Sequence, residues 1–325
     1  MIKTKHISIT ILLLVLLLIL LFTYQISNVE TDNLEKISTL IQNTEELITE
    51  GKYDKALKSA TEALSLQKIE YGSKHYSVAE TLGNFATIYY HLGEFKRADP
   101  LYKEIIAIYE KEIGSEHVEV GIALNNLALL YYGSGDYIKA KSLFNKALLI
   151  KQKIMGNEDP EIATILNNLG TLNLTLGDYD EAKRLFEKAL VITKKNYGPK
   201  HPKVAEGLNN FASLYYYLSE YSKSESFFKK ALEIRENYYG SDHNKVVISL
   251  NNLAMLYLNL GEYIEAEPLF NKALLISEKN LGSENPTVAL ITGNLAILNN
   301  HLGKYKTAIS FNKKTLAIQK KNLWF

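Results

Sequence analysis

The chain has 325 residues, 46% hydrophobic and 22% charged, with 37 basic against 36 acidic residues and no cysteine. That is a folding composition, which excludes a disordered chain. The net charge of +1 argues against nucleic acid as a partner, and the missing cysteines exclude disulfides, thiolate metal sites and a lipid-bearing Cys.

The chain opens on an apolar stretch, Ile7 to Ile26, with no polar residue between Ile11 and Phe22. A helix of that length spans roughly 30 Å, enough for a bilayer core. Lys3 and Lys5 precede it, and Glu30, Asp32 and Glu35 follow it. The charge asymmetry predicts a single-pass signal-anchor over 7–26, with residues 1–6 cytoplasmic and the remainder on the translocated side, periplasmic or extracellular. The competing reading is a cleaved signal peptide that leaves a soluble secreted or periplasmic protein. Residues 22–27 lack the small-x-small pattern such cleavage uses. Residues 27–39 read as a tether and the start of a first helix, with Asp32 and Glu35 spaced for a capping box.

From residue 40 the chain repeats without insertion or deletion. Leu40, Leu82, Leu124, Leu166, Leu208, Leu250 and Thr292 open seven units, each 42 residues after the last. A period of 20–50 residues marks stacked supersecondary units, which grow in one dimension and expose long concave surfaces. In the unit at Leu124, a first helix is expected from about Glu119 to Gly133, with Val120, Leu124, Leu127, Ala128 and Tyr131 on one face. Gly133, Ser134 and Gly135 break it. A second helix follows from about Asp136 to Met155, with Tyr137, Ala140, Phe144, Ala147 and Ile150 as its stripe. Gly156 should close it in the left-handed region, and Asp159 with Pro160 should cap and open the next helix. Small residues (Ala128, Ala140, Ala147) mark close helix approach, and Tyr131, Tyr137 and Phe144 fill the gaps. A turn glycine recurs between the helices of every unit except one, where Ser219 stands instead.

These residues resemble the tetratricopeptide repeat, in the 42-residue version found in kinesin light chains. The resemblance covers residues 40–325 and implies an all-α fold: a right-handed superhelical solenoid of antiparallel helix pairs. The end units depart from the pattern. Asn43 and Thr44, and Asn312 and Thr315, replace apolar and small residues, as expected of end caps with polar outer faces.

The resemblance also implies that the two asparagines of the recurring Leu-Asn-Asn face the concave groove. The first is Asn125, Asn167, Asn209 and Asn251; the second is Asn84, Asn126, Asn168, Asn210, Asn252 and Asn294. Asparagine is a mediocre helix former, so its recurrence in mid-helix needs a reason. One reason is a ladder of amides that offers donors and acceptors to an extended peptide, the use made of groove asparagines in kinesin light chains and in O-GlcNAc transferase superhelices. The other is hydrogen bonding between neighbouring units. Tyr90, Tyr132, Tyr216 and Tyr217, near the ends of the first helices, are expected in the same groove, where routine packing competes with binding. A carboxylate clamp of groove lysines and arginines is not expected with asparagine at these positions.

Four histidines, His75, His117, His201 and His243, occupy one loop position. They stand a full helix pair apart, too far to share a metal ion, so loop geometry is the expected role. No nucleophile elbow, phosphate loop or His-Glu-x-x-His motif is present, so neither enzyme chemistry nor a cofactor is expected. The sequence predicts a membrane-tethered scaffold that holds a protein or peptide partner in its groove; the alternative is a structural or regulatory solenoid that self-associates.

Overall fold

The computed structural model describes residues 33–323, with side chains through residue 321. The expected membrane span over 7–26 and the capping residue Asp32 lie outside the described residues. No described helix is long and apolar enough to cross a membrane.

Fourteen α-helices and no strand make up the described residues. They are α1 (33–49), α2 (Tyr53–Tyr71), α3 (Tyr76–His91), α4 (Phe95–Glu112), α5 (Val118–Gly133), α6 (Tyr137–Met155), α7 (Pro160–Thr175), α8 (Tyr179–Tyr197), α9 (Pro202–Tyr217), α10 (Tyr221–Tyr239), α11 (Asn244–Leu260), α12 (Tyr263–Leu281), α13 (Pro286–His301) and α14 (Tyr305–Leu323). Each helix packs on the one before and the one after, so odd-numbered (A) and even-numbered (B) helices alternate as a stack of antiparallel pairs. The A helices of adjacent pairs also touch, α5 to α7, α7 to α9, α9 to α11 and α11 to α13, and no neighbouring B helices come as close. In a curved stack the more crowded layer is the inner one. The A helices therefore line the concave face.

The repeated stripes make one continuous core. Phe144, Phe186 and Phe270 of the B helices are sealed against small A-helix residues: Ala128, Gly170 and Ala254. The fit is tightest at Gly170, where a Cβ would stand 2.6 Å from Cδ1 of Phe186. Asp159 caps α7 as expected, accepting from the Glu161 N–H at 2.8 Å with Pro160 at the first helical position. The four loop histidines do the same work. His75, His117, His201 and His243 each accept through Nδ1 from the N–H two residues on, at 3.1–3.3 Å. A histidine in the N-cap position satisfies one of the open donors of a helix start, as Asp159 and Asn285 do in their units. Tyr71, Tyr197 and Tyr239 stack on three of these rings at 4.7–4.9 Å.

Two local expectations change, and the turn that lacks its glycine keeps the same geometry. Gly156 closes α6 with φ 82° and ψ 173°, an extended conformation and not the left-handed helical one. Ser219 takes φ 60°, the one non-glycine positive φ among the described residues, because its neighbours still bond as a left-handed turn: Ser219 N–H to Tyr216 O and Glu220 N–H to Tyr215 O. The polar residues of the end units divide: Asn43 and Asn312 are exposed outer positions, whereas Thr44 and Thr315 turn inward. Thr44 is fully buried and donates to the Leu40 carbonyl at 2.7 Å, Asn43 donates to Ser59 at 3.0 Å, and Thr315 pairs with buried Thr292 at 2.7 Å. The ends also meet: a Cβ at Gly51, in the α1–α2 turn, would lie 2.7 Å from Cγ of Pro286 at the start of α13. The array turns far enough to bring its first unit against its last.

Candidate functional site

The concave face is a stripe of A-helix side chains, and its contacts follow a register that the sequence period conceals. Units repeat every 42 residues, but neighbouring A helices touch at a separation of 43. Asn168 Nδ2 donates to Asn125 Oδ1 at 3.0 Å, Asn294 Nδ2 to Asn251 Oδ1 at 2.8 Å, and Tyr132 Oη meets Thr175 Oγ1 at 2.9 Å. That register explains the doublet. With a 43-residue contact and a 42-residue repeat, an asparagine can reach an asparagine only if two stand side by side. The first of one unit then accepts from the second of the next.

Two of the steps are closed in this way and two are open. Asn167 and Asn209 are the acceptors for the intervening steps, toward Asn210 and Asn252. Their Oδ1 atoms are buried and have no hydrogen-bond partner. Asn84 is open for a different reason: Ile41 stands where its partner amide belongs, and its Nδ2 is buried without an acceptor. Asn126 faces Gly83 across the same register, and its Oδ1 accepts instead from Asn125 at 3.4 Å. All ten asparagines are half-buried on the A helices. The two expected roles therefore divide the face: inter-unit bonds at Asn125–Asn168 and Asn251–Asn294, unsatisfied acceptors on α7 and α9. One turn further along, Thr171 and Ser213 donate back to the Asn167 and Asn209 carbonyls at 2.9 and 3.1 Å, which leaves their hydroxyl lone pairs free to accept.

The four tyrosines separate as well. Tyr90, Tyr132 and Tyr216 share one register position and are half-buried in packing: Tyr90 against Gly133 and Phe95, Tyr132 against Tyr137, Tyr216 against Tyr221. Tyr217 is 57% exposed and stacks on Tyr179 at 6.4 Å between centroids. Of the four, it alone is exposed, with the edge of Tyr216 also against its ring.

Charge along the A helices is graded. Glu80 on α3 and Glu119 on α5 lie toward the first units, and Lys203 on α9 and Lys245 on α11 toward the last. Burial pushes the Glu80 carboxyl above its ordinary range, and Glu45 and Glu119 push it the same way. The Tyr109 phenol beneath them is pushed up to about 12, by burial first and by Glu119 and Glu80 after it. Further on, the buried cations have partners: Lys151 with Glu161, and Arg235 with Ser249. Burial lowers the Arg235 guanidinium's affinity for its proton, with Glu206 and Tyr239 opposing. Past them the exposed stripe is apolar, with Ile248 on α11 and Leu290 and Ile297 on α13. Sequence reasoning missed this gradient because it followed the recurring residues, and the gradient lies in positions that vary between units. Among the described residues no cluster of His, Asp and Glu could hold a metal ion.

A family model for the tetratricopeptide repeat matches residues 47–111, 81–153, 119–193, 161–237, 204–261 and 245–321. Among solved structures, the chain is similar to the Rap conjugation gene regulator of the plasmid pLS20 in complex with a Phr peptide (TM-score 0.62, 16% identity, 90% of this chain and 75% of that one). It is also similar to BtubC (BKLC) from P. vanneervenii (TM-score 0.53, 22% identity, 75% of this chain and 91% of that one). A putative kinesin light chain of Podosopora anserina is a third (TM-score 0.51, 23% identity, 63% of this chain and 97% of that one). At these identities the likeness is one of fold. No curated protein matches the chain.

Proposed function

The chain belongs to the tetratricopeptide repeat family, and from that premise we propose that its concave face holds an extended segment of a protein partner at the α7–α9–α11 steps. The observation that carries this reading is the pair of buried, unpartnered acceptors, Asn167 Oδ1 and Asn209 Oδ1. A buried carbonyl without a donor costs about 1–3 kcal/mol. Elsewhere on the same face the identical side chain is satisfied by its neighbour. With a rotation of the half-buried Asn167 and Asn209 amides toward the groove, a peptide backbone laid along α7 and α9 supplies the missing N–H groups and can donate further to Thr171 and Ser213. Tyr217 adds ring surface beside them. The Rap regulator, of similar fold, was solved with a peptide, which supports this class of partner.

The test uses the full chain in detergent micelles and peptides selected on it from an unbiased displayed library. Asn167→Ala with Asn209→Ala should weaken the selected peptides at least tenfold, and Asn125→Ala far less. Equal loss at both places defeats the reading. The segment over 7–26 is proposed to anchor the array on the translocated side of a membrane, which carbonate extraction and protease protection of the expressed chain would test. Release of the chain by carbonate, or protection from protease on the wrong side, counts against it.

A further inference from the structure

The first unit carries a second polar feature, independent of the asparagine doublets. A cavity of about 390 Å³ opens among α1, α2 and α3. Leu34, Ile37 and Ile41 form its apolar wall, and Glu45, Gln67 and Glu80 also line it. Gln67 is 1% exposed; its Nε2 donates to the Ser77 carbonyl at 2.9 Å, while its Oε1 has no partner. That bond fixes the amide's orientation: turning it over would set Oε1 against a carbonyl oxygen. Among the described residues no ion pair reaches Glu45, Glu80 or Glu119. Burial first, and the Glu45 and Glu119 carboxylates after it, raise the affinity of the Glu80 carboxyl for its proton.

We propose that this cavity binds a primary alkylammonium, the end group of a lysine side chain or of a free aliphatic amine. The ammonium has three N–H donors and no acceptor. The cavity lining offers three acceptor groups: the buried, unpartnered Gln67 Oε1 atom and the solvent-facing Glu45 and Glu80 carboxylates at its mouth. The aliphatic stem lies along Leu34, Ile37 and Ile41. A hard dication is a poorer match, because calcium takes 6–8 oxygen ligands and one wall of this lining, Leu34, Ile37 and Ile41, is hydrocarbon. A neutral ligand would do nothing to offset the repulsion between Glu45 and Glu80. The inference does not rest on the asparagine steps, and the two fail separately: Asn167→Leu should leave amine binding unchanged.

The experiment is calorimetric titration of the full chain in micelles with three probes. They are the peptide acetyl-Ala-Ala-Lys-Ala-Ala-amide, its norleucine counterpart and putrescine. The lysine peptide should bind at least tenfold tighter than the norleucine peptide, and Glu80→Gln and Glu45→Gln should each weaken it at least fivefold. Both variants should melt no lower than the parent, since each removes one of the clustered charges. Putrescine binding with the same dependence on Glu80 and Glu45 also upholds the site, and its strength relative to the peptide says which source is preferred. Equal binding of the norleucine peptide, parental affinity in both variants, or no amine binding to the parent chain overturns the proposal.

Discussion

Asn125 and Asn167 occupy one position of the repeat and carry the same side chain, yet Asn→Leu should change stability in opposite directions at the two. At Asn167 the substitution removes a buried, unpartnered Oδ1, worth about 1 kcal/mol. It also replaces a mediocre helix former with a good one, worth about 0.4 kcal/mol. The sum, about 1.4 kcal/mol of stabilisation, is a rise in Tm of about 2 °C for an array of this size. At Asn125 the same gain in propensity is set against a lost 3.0 Å bond from Asn168 Nδ2, which leaves that donor without its partner at a cost of about 1–3 kcal/mol. The net effect is destabilisation by about 0.6–2.6 kcal/mol. Chemical denaturation of the two variants and the parent, followed by far-ultraviolet circular dichroism, measures both. The peptide assay should run the other way, with Asn167→Leu more stable and a poorer binder, the trade-off expected where a site is kept unsatisfied for its ligand. Destabilisation at both positions, or a stable Asn167→Leu that binds selected peptides as the parent does, would refute the reasoning.

Three further outcomes follow from local geometry. Ser219→Gly should stabilise by about 0.5–1 kcal/mol in the same assay, since a left-handed conformation costs an L-residue roughly 1–2 kcal/mol and glycine returns part of that through backbone entropy. Gly170→Ala matches the Ala of other units and raises helix propensity by about 1 kcal/mol, yet it should destabilise by about 1 kcal/mol net, because its Cβ overlaps the Phe186 ring and overpacking costs about 1–3 kcal/mol. The third concerns pH. The folded chain holds the Glu80 proton more tightly than the unfolded chain does. Stability should therefore fall as pH rises from the ordinary carboxylate range through Glu80's raised value, with the loss complete above it. Glu80→Gln should flatten that limb of a Tm-against-pH curve and melt higher than the parent at pH 7; an unchanged curve would show that the carboxyl is not strained.

Most of the fold could be read from the residues, because packing recurs with the chain. The Ala128, Ala140 and Phe144 pattern names its own neighbours, and Asp159-Pro160 announces a helix start without tertiary help. The histidines were harder. Nothing in their spacing told an N-cap from a bland loop position, although sharing that position with Asp159 and Asn285 was a usable signal. The site was legible only in outline. The asparagine doublet stands out as unexplained by packing, but the 42-residue period alone does not separate its two roles, because the contacts run at 43.

The period, the helix pairs and the polar doublet were all present in the linear pattern, since each depends on residues close in the chain or on strict recurrence. The 43-residue contact register was not, because it comes from how one A helix leans against the next. That lean decides which amides meet and which are left open. Curvature crowds the A helices inward and brings Gly51 against Pro286, and the packing of α1, α2 and α3 gathers Glu45, Gln67 and Glu80 around one cavity. Those three residues lie on three helices and share no motif, so only the packed array could place them together.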